Sequence, residues 1–191
     1  MTILQFLIVF TYSATMGMLL LVALAYWRNV EGLWPPHSRA VLVVGWVWYV
    51  SPFIAAPWLS FFESPVEMPL SDILWKILGF LFIAVGGGLR FWALTTFRSV
   101  RRVSGEKIDA LITWGPYHYV RNPQYMSLML FLSGITLIQN SLYFLLFTVM
   151  EVATFHIITL LEEKELEKIF DEEYMKYKRR VPRCLPRLKR G

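Results

Sequence analysis

Three short stretches of this chain carry residue types able to do chemistry. The first is the pair Glu162-Glu163. Adjacent carboxylates on a helix point about 100° apart, so each serves a different face. On that geometry Glu163 shares a face with His156, and Glu162 shares one with Glu151. A carboxylate can accept hydrogen bonds from ribose hydroxyls or attract a cation. Glu165 and Glu167 follow, so a solvated charge run is the alternative. The second stretch is Gly115-Pro116-Tyr117-His118-Tyr119-Val120-Arg121-Asn122-Pro123-Gln124-Tyr125. Pro116 and Pro123 restrict the backbone on both sides of Arg121. A guanidinium there can grip a carboxylate bidentately, or simply anchor an interfacial belt of tyrosines. The third is Gly86-Gly87-Gly88-Leu89-Arg90-Phe91-Trp92-Ala93. Its glycines permit either close helix packing or the approach of a ligand to the backbone. Arg90 must face protein or water, or snorkel to the interface.

The elements that position these residues are apolar. The chain has 191 residues, 56% hydrophobic and 17% charged, with a mean hydropathy of +0.48. Such an excess of apolar surface needs lipid to cover it. A span needs about 20 apolar residues. Clear candidates cover residues 3–26, 40–62, 73–95 and 142–161, with a shorter segment over 125–138. The first lacks a basic leader, so a membrane helix is expected rather than a signal peptide. The last two read as a tight antiparallel hairpin turning at residues 139–141. Residues 162–181 read as an amphipathic helix continuing the fifth span. There Leu166, Ile169, Phe170, Tyr174 and Tyr177 recur at helical spacing. The expected fold class is therefore an all-α membrane protein of one domain, with five transmembrane helices and this C-terminal helix. Residues 1–72 carry none of the three stretches, and 73–191 carry all of them.

Charge sets the expected orientation. Arg98, Arg101, Arg102, Lys107 and Arg121 crowd the third loop, whereas the second carries Glu63, Glu67 and Asp72. Ten of the nineteen Lys and Arg lie in the last 28 residues. The positive-inside rule then places the N-terminus outside, and the third loop and tail in the cytoplasm. A basic tail of this kind suits an anionic membrane surface, and no nucleic-acid partner is expected. Cys184 is the sole cysteine, which excludes an internal disulfide. No metal-ligand set is recognisable, and no dinucleotide fingerprint, P-loop or nucleophile elbow occurs. Glu151 falls mid-span, where a carboxyl must pair, protonate or line a cavity. His156 lies nearby.

Taken in order, these stretches resemble the isoprenylcysteine carboxyl methyltransferase and phospholipid methyltransferase superfamily of membrane enzymes. The match begins with Leu89, Arg90, Trp92 and Ala93. It continues with Leu111, Ile112, Gly115, Tyr117, Arg121, Pro123 and Tyr125, then Glu162, Glu163 and Leu166, then Phe170, Tyr174, Tyr177, Val181 and Pro182. Each piece alone is weak, and the ordered set over residues 86–188 is strong. The resemblance implies S-adenosyl-L-methionine as cofactor and a lipophilic acceptor that enters from the membrane. It implies a cofactor pocket from Gly115, Tyr117, Tyr119, Asn122, Pro123, Tyr125, Glu162 and Glu163. Glu162 or Glu163 would hold the ribose or amino-acid end, and the 117–125 loop would cover the cofactor. Arg121 or Arg90 would orient an anionic substrate group, so Arg121, Arg90 and Glu163 are the catalytic candidates.

Three positions depart from the family pattern. Asn122 replaces the family histidine and cannot act as a base near neutral pH. Ser127 and Asp171 stand where glycine is usual. Two other classes fit the residues: a nicotinamide-dependent membrane reductase of sterol-reductase-like architecture, and a non-catalytic membrane adaptor that retains the pocket.

Overall fold

The computed structural model describes residues 3–28, 55, 73–97 and 110–184. The expected second span, 40–62, lies outside the described residues, Ala55 excepted, as do residues 98–109 of the basic third loop and the last seven residues. Four α-helices and one 3-10 turn account for almost all of the described chain, and it contains no β-strand. Helix α1 is Ile3–Trp27, α2 is Ile73–Thr96, α3 is Pro123–Gln139 and α4 is Leu142–Arg180. The 3-10 turn is Gly115–His118. Among the described residues, α2 and α4 contain stretches long and apolar enough to cross a membrane, and Ile8–Leu24 of α1 is a shorter apolar run.

Local sequence explains the hairpin. Pro123 opens α3 at a position where its missing N–H costs nothing. Asn140 ends α3 in the left-handed conformation, at φ 52°, and its N–H donates to Thr136 O over 3.1 Å. Ser141 then caps α4 by accepting from the Phe144 N–H at 3.3 Å. A two-residue turn thus reverses the chain within the stretch expected to do so. Leu132, Phe144, Phe147 and Phe155 form the buried core between the two helices. The Thr136 and Thr148 hydroxyls close the seam at 2.8 Å, satisfying each other where no water reaches.

Helix α2 lies against α3 at backbone distance. A Cβ added to Gly79 would fall 2.7 Å from Gly134 O, and one added to Gly134 would fall 2.6 Å from Gly79 O. One added to Gly86 would meet Ser127 O at 2.8 Å. Small residues at such a crossing let two helices approach without a hydrophobic driving force. Of the three consecutive glycines, Gly86 therefore serves packing, whereas Gly87 and Gly88 face open space. On its other faces α2 leaves Ile77, Phe80, Leu81 and Val85 exposed, an apolar surface suited to lipid.

Helix α1 packs on α4. Tyr12 meets Phe147 edge-to-face at 6.5 Å, and Lys164 sits 4.2 Å over the Tyr26 ring. Between the helices lies Glu151, buried and hydrogen-bonded to Thr15. One of its carboxyl oxygens has no hydrogen-bond partner. His156 is exposed on the same helix while Glu163 is buried, so the shared face drawn from the helical wheel does not bring them into one site.

Helix α4 runs past its apolar portion without a break in the hydrogen-bonded rod as far as Asp171. There φ 38° and ψ −114° interrupt the helical geometry. An L-residue is strained in that region, and glycine is not. Asp171 thus occupies a backbone conformation that glycine adopts without strain.

Candidate active site

The loop before α3 is held by its own special residues. Gly115 adopts φ 63°, and a Cβ there would fall 2.7 Å from Thr96 Oγ1 at the end of α2. Both backbone angle and space demand glycine. The chain then enters the 3-10 turn, whose Pro116 and Tyr117 are buried. Tyr117 packs edge-to-face on Phe97 at 5.4 Å and against Ala93. Its hydroxyl accepts from Gln124 Nε2 at 3.0 Å. Arg90 Nη1 in turn donates to Gln124 Oε1 at 3.2 Å. Tyr177, from the far end of α4, donates to the Tyr117 carbonyl at 2.6 Å. The loop is therefore fastened to α2, α3 and α4 together. Tyr119 is exposed, lies 6.2 Å from the Trp92 ring and stands away from these bonds.

Next along the loop, Arg121 and Asn122 lie beside the segment that follows α4. The Arg121 N–H donates to Pro182 O at 2.8 Å, and the Asn122 N–H donates to Arg183 O at 3.2 Å. The Arg121 side chain crosses the same junction. Its Nη1 donates to Lys178 O at 3.0 Å and to Val181 O at 2.8 Å. These are carbonyls that the end of a helix leaves without intrahelical partners. Its Nε and Nη2 donate to Glu163 at 3.0–3.2 Å. Arg183 reaches the same carboxylate, with Nε on Oε1 at 3.0 Å and Nη2 on Oε2 at 2.9 Å. Asn122 Nδ2 adds a further bond to Oε1 at 3.1 Å. Asn122 stands at the N-cap position of α3 but does not cap it with its side chain, because that amide is committed to Glu163.

The two adjacent glutamates thus have opposite environments. Burial alone would raise the Glu163 carboxyl. The Arg183 hydrogen bonds and the Arg121 charge and hydrogen bonds outweigh it and hold the carboxyl below the usual carboxylate range. Glu163 is ionised and saturated with donors. Glu162, one residue earlier, faces α3. Burial pushes its carboxyl up to about 7; a hydrogen bond from Tyr125 opposes the rise and the Glu163 charge adds to it. Glu162 Oε1 accepts from the Tyr125 hydroxyl at 2.5 Å. Among the described residues that is its one hydrogen bond, so the second oxygen is available to a ligand. A carboxylate with a spare oxygen, beside tyrosines and a glycine-shaped loop, fits the hydroxyl donors of a nucleoside ribose. The donor set is not that of a metal: the described residues hold no cluster of His, Cys, Asp or Glu able to bind one.

The structure joins Arg121, Asn122 and Tyr125 to the Glu162-Glu163 pair and links Tyr117 to Arg90 through Gln124, while Gly115 packs against the end of α2 and Pro123 opens α3. The geometry bears on two of the expected roles. Arg121 was expected to orient a substrate anion, but all three of its side-chain nitrogens donate within the protein. Glu163 was one of two candidates to touch a cofactor, but its side chain is 3% exposed and already accepts from three residues. Gln124 and Arg183 were missed. Arg183 was counted within the basic tail as a membrane-surface charge. The signal that points to it is its place directly after Val181-Pro182, the last matching piece of the motif set.

The phospholipid methyltransferase family profile matches residues 74–173, more than half of the chain. Among curated proteins, the protein-S-isoprenylcysteine O-methyltransferase of Homo sapiens is 33% identical over 141 residues. That covers 69% of this chain and 49% of the relative. The Xenopus laevis protein of the same name is 31% identical over 139 residues, covering 69% and 48%. The chain therefore spans about half the length of the curated relatives it matches. No solved structure matches significantly. The ordered motif residues, their convergence on one carboxylate pair and the family match agree: this chain belongs to the phospholipid methyltransferase family.

Proposed function

We propose that the chain is an integral membrane methyltransferase that uses S-adenosyl-L-methionine to methylate a lipophilic acceptor delivered from the bilayer. The acceptor class includes an isoprenylcysteine-like carboxylate, a phospholipid amine or another small lipophilic nucleophile. The family match and the relatives' names support the reaction class. The observation that carries the site is the split of the carboxylate pair: Glu163 is sealed among Arg121, Arg183 and Asn122, which leaves Glu162 beside Tyr125 to meet the ligand.

When bound, the cofactor supplies an activated methyl group on a sulfonium, so the protein's task is positioning and desolvation. Glu162 would hold the ribose by accepting its hydroxyl hydrogen bonds. Glu163 and Arg121 fix the α4 segment that carries Glu162, and they strap the end of α4 to the loop. Gly115, Tyr117, Asn122, Pro123 and Tyr125 shape the wall over the cofactor, with Tyr119 at its rim. Arg90 holds Gln124, which in turn holds the Tyr117 hydroxyl. A carboxylate or thiolate acceptor needs no base. For an amine, which must shed a proton, Glu162 is a group able to exchange one around neutral pH. Five spans, an external N-terminus and a cytoplasmic site complete the reading, supported by the charge pattern of the loops.

The test is isothermal titration of the detergent-purified protein with S-adenosylhomocysteine, with NADPH in parallel. Micromolar binding of the homocysteine compound, weakened at least tenfold in Glu162→Ala, is expected. Binding of NADPH alone would move the chain to the reductase class, and binding of neither would leave a non-catalytic adaptor.

A further inference from the structure

We infer that Arg183 forms an anion-binding subsite of the pocket, taking a carboxylate or phosphate oxygen of the bound reactant. This deepens the function proposed above and rests on it. The argument begins with charge. One carboxylate, Glu163, is shared by two guanidinium groups, Arg121 and Arg183. The cluster carries one positive charge more than it neutralises. The two arginines differ in what they have left to give. The Arg121 side chain is 9% exposed, and its Nη1 is spent on Lys178 O and Val181 O. The Arg183 side chain is 31% exposed. Its Nε and Nη2 grip Glu163, and its Nη1 makes no hydrogen bond among the described residues.

A guanidinium presents donors on more than one edge in a rigid plane. Here one edge is docked bidentately on a buried carboxylate, which fixes the plane and leaves Nη1, in a side chain that is 31% exposed, without a hydrogen bond among the described residues. The ordering cost of binding an anion there is already met by the protein. The backbone adds rigidity, because Arg183 O accepts from the Asn122 N–H in the loop that bounds the pocket. Arg183, rather than Arg121, is then the arginine placed to recognise an anion. The anion comes from one of two sources: the amino-acid carboxylate of the cofactor, or a phosphate or carboxylate on the acceptor.

Titration of wild type, Arg183→Gln and Arg183→Lys in detergent separates the possibilities. The three ligands are S-adenosylhomocysteine, 5′-methylthioadenosine (which lacks the amino-acid end) and dodecyl phosphate. If the cofactor is the source, Arg183→Gln binds S-adenosylhomocysteine 10- to 100-fold more weakly and methylthioadenosine unchanged. If the acceptor is the source, dodecyl phosphate binding falls at least tenfold and both nucleosides are unaffected. Arg183→Lys keeps a charge on Glu163 and is expected to recover part of the lost affinity. Equal weakening of both nucleosides would show that Arg183 acts only by holding Glu163, and would overturn the subsite. So would unchanged binding of all three ligands. Wild-type protein that binds dodecyl phosphate but no nucleoside keeps the anion site and removes the methyltransferase reading; wild type that binds none removes both.

Discussion

Replacing each member of the Glu162-Glu163 pair by glutamine should move stability in opposite directions, although the residues are adjacent. Glu163→Gln removes the charge that two guanidinium groups share. Breaking a buried pair from one side costs about 3–5 kcal/mol. Arg121 keeps its two carbonyl acceptors, Arg183 is partly open to water, and the glutamine oxygen can still accept. These reduce the expected loss to about 2–3 kcal/mol. Glu162→Gln acts the other way. A carboxyl raised from 4.5 to about 7 disfavours ionisation in the folded state, by on the order of 3 kcal/mol. Partial exposure lets water offset some of this, so a gain of ~1–3 kcal/mol is expected above pH 7. The sign follows from linkage. The folded Glu162 holds its proton up to about 7 while the unfolded one releases it near 4.5, so wild-type stability falls as pH rises between the two. The glutamine variant lacks that fall, and its advantage grows from pH 5 to pH 8. Thermal unfolding in detergent, followed by tryptophan fluorescence at pH 5, 6.5 and 8, measures both effects. Equal destabilisation by the two variants would refute the assignment of opposite environments. A Glu162→Gln advantage independent of pH would refute the cause given for it.

Three further outcomes follow from other parts of the fold. Asp171→Gly relieves a residue at φ 38° and ψ −114°, and should raise stability by about 1 kcal/mol in the same unfolding assay. Gly134→Ala drives a Cβ into the Gly79 carbonyl and should cost roughly 1–3 kcal/mol by forcing α2 and α3 apart; an unchanged midpoint would show that the crossing is loose. Because the Glu163 carboxyl is held low, its contribution is complete above the ordinary carboxylate range and is lost as pH falls through its folded value. Wild type should therefore lose stability below about pH 4.5 more steeply than Glu163→Gln does, as acid unfolding curves would show.

The three departures from the family pattern each acquire a local reason. Asn122 cannot replace the basicity of a histidine, but it can replace a ring N–H as a donor, and it gives that bond to Glu163. Ser127 is accommodated where many relatives carry glycine because its hydroxyl turns back onto the Gln124 carbonyl at 2.6 Å. Its carbonyl, not its side chain, faces Gly86 across the helix crossing. Asp171 keeps the left-handed kink at the expense of strain.

Much of this was readable from residue order. Apolar runs over 73–95 and 142–161 foretold α2 and the apolar part of α4, because length and hydropathy are local properties. The hairpin turn was legible because Asn140 and Ser141 are residue types that end one helix and start another. The ordered spacing of the 115–125 and 162–163 stretches carried the family resemblance, and the structure joins the two by hydrogen bonds. The one-dimensional pattern could not say which side chains were spent. Helical geometry separates Glu162 from Glu163 by about 100°, but it does not name the face on which the arginines lie. That depended on the segment after Val181 folding back beside residue 121, a contact between residues 60 positions apart. Tertiary structure alone therefore decided that Arg121 is sealed, that Glu163 is saturated, and that Glu162 and Arg183 keep hydrogen-bonding capacity among the described residues. A hydrogen-bonding group can be counted as available only when every partner in space is known, and sequence separation carries no information about that.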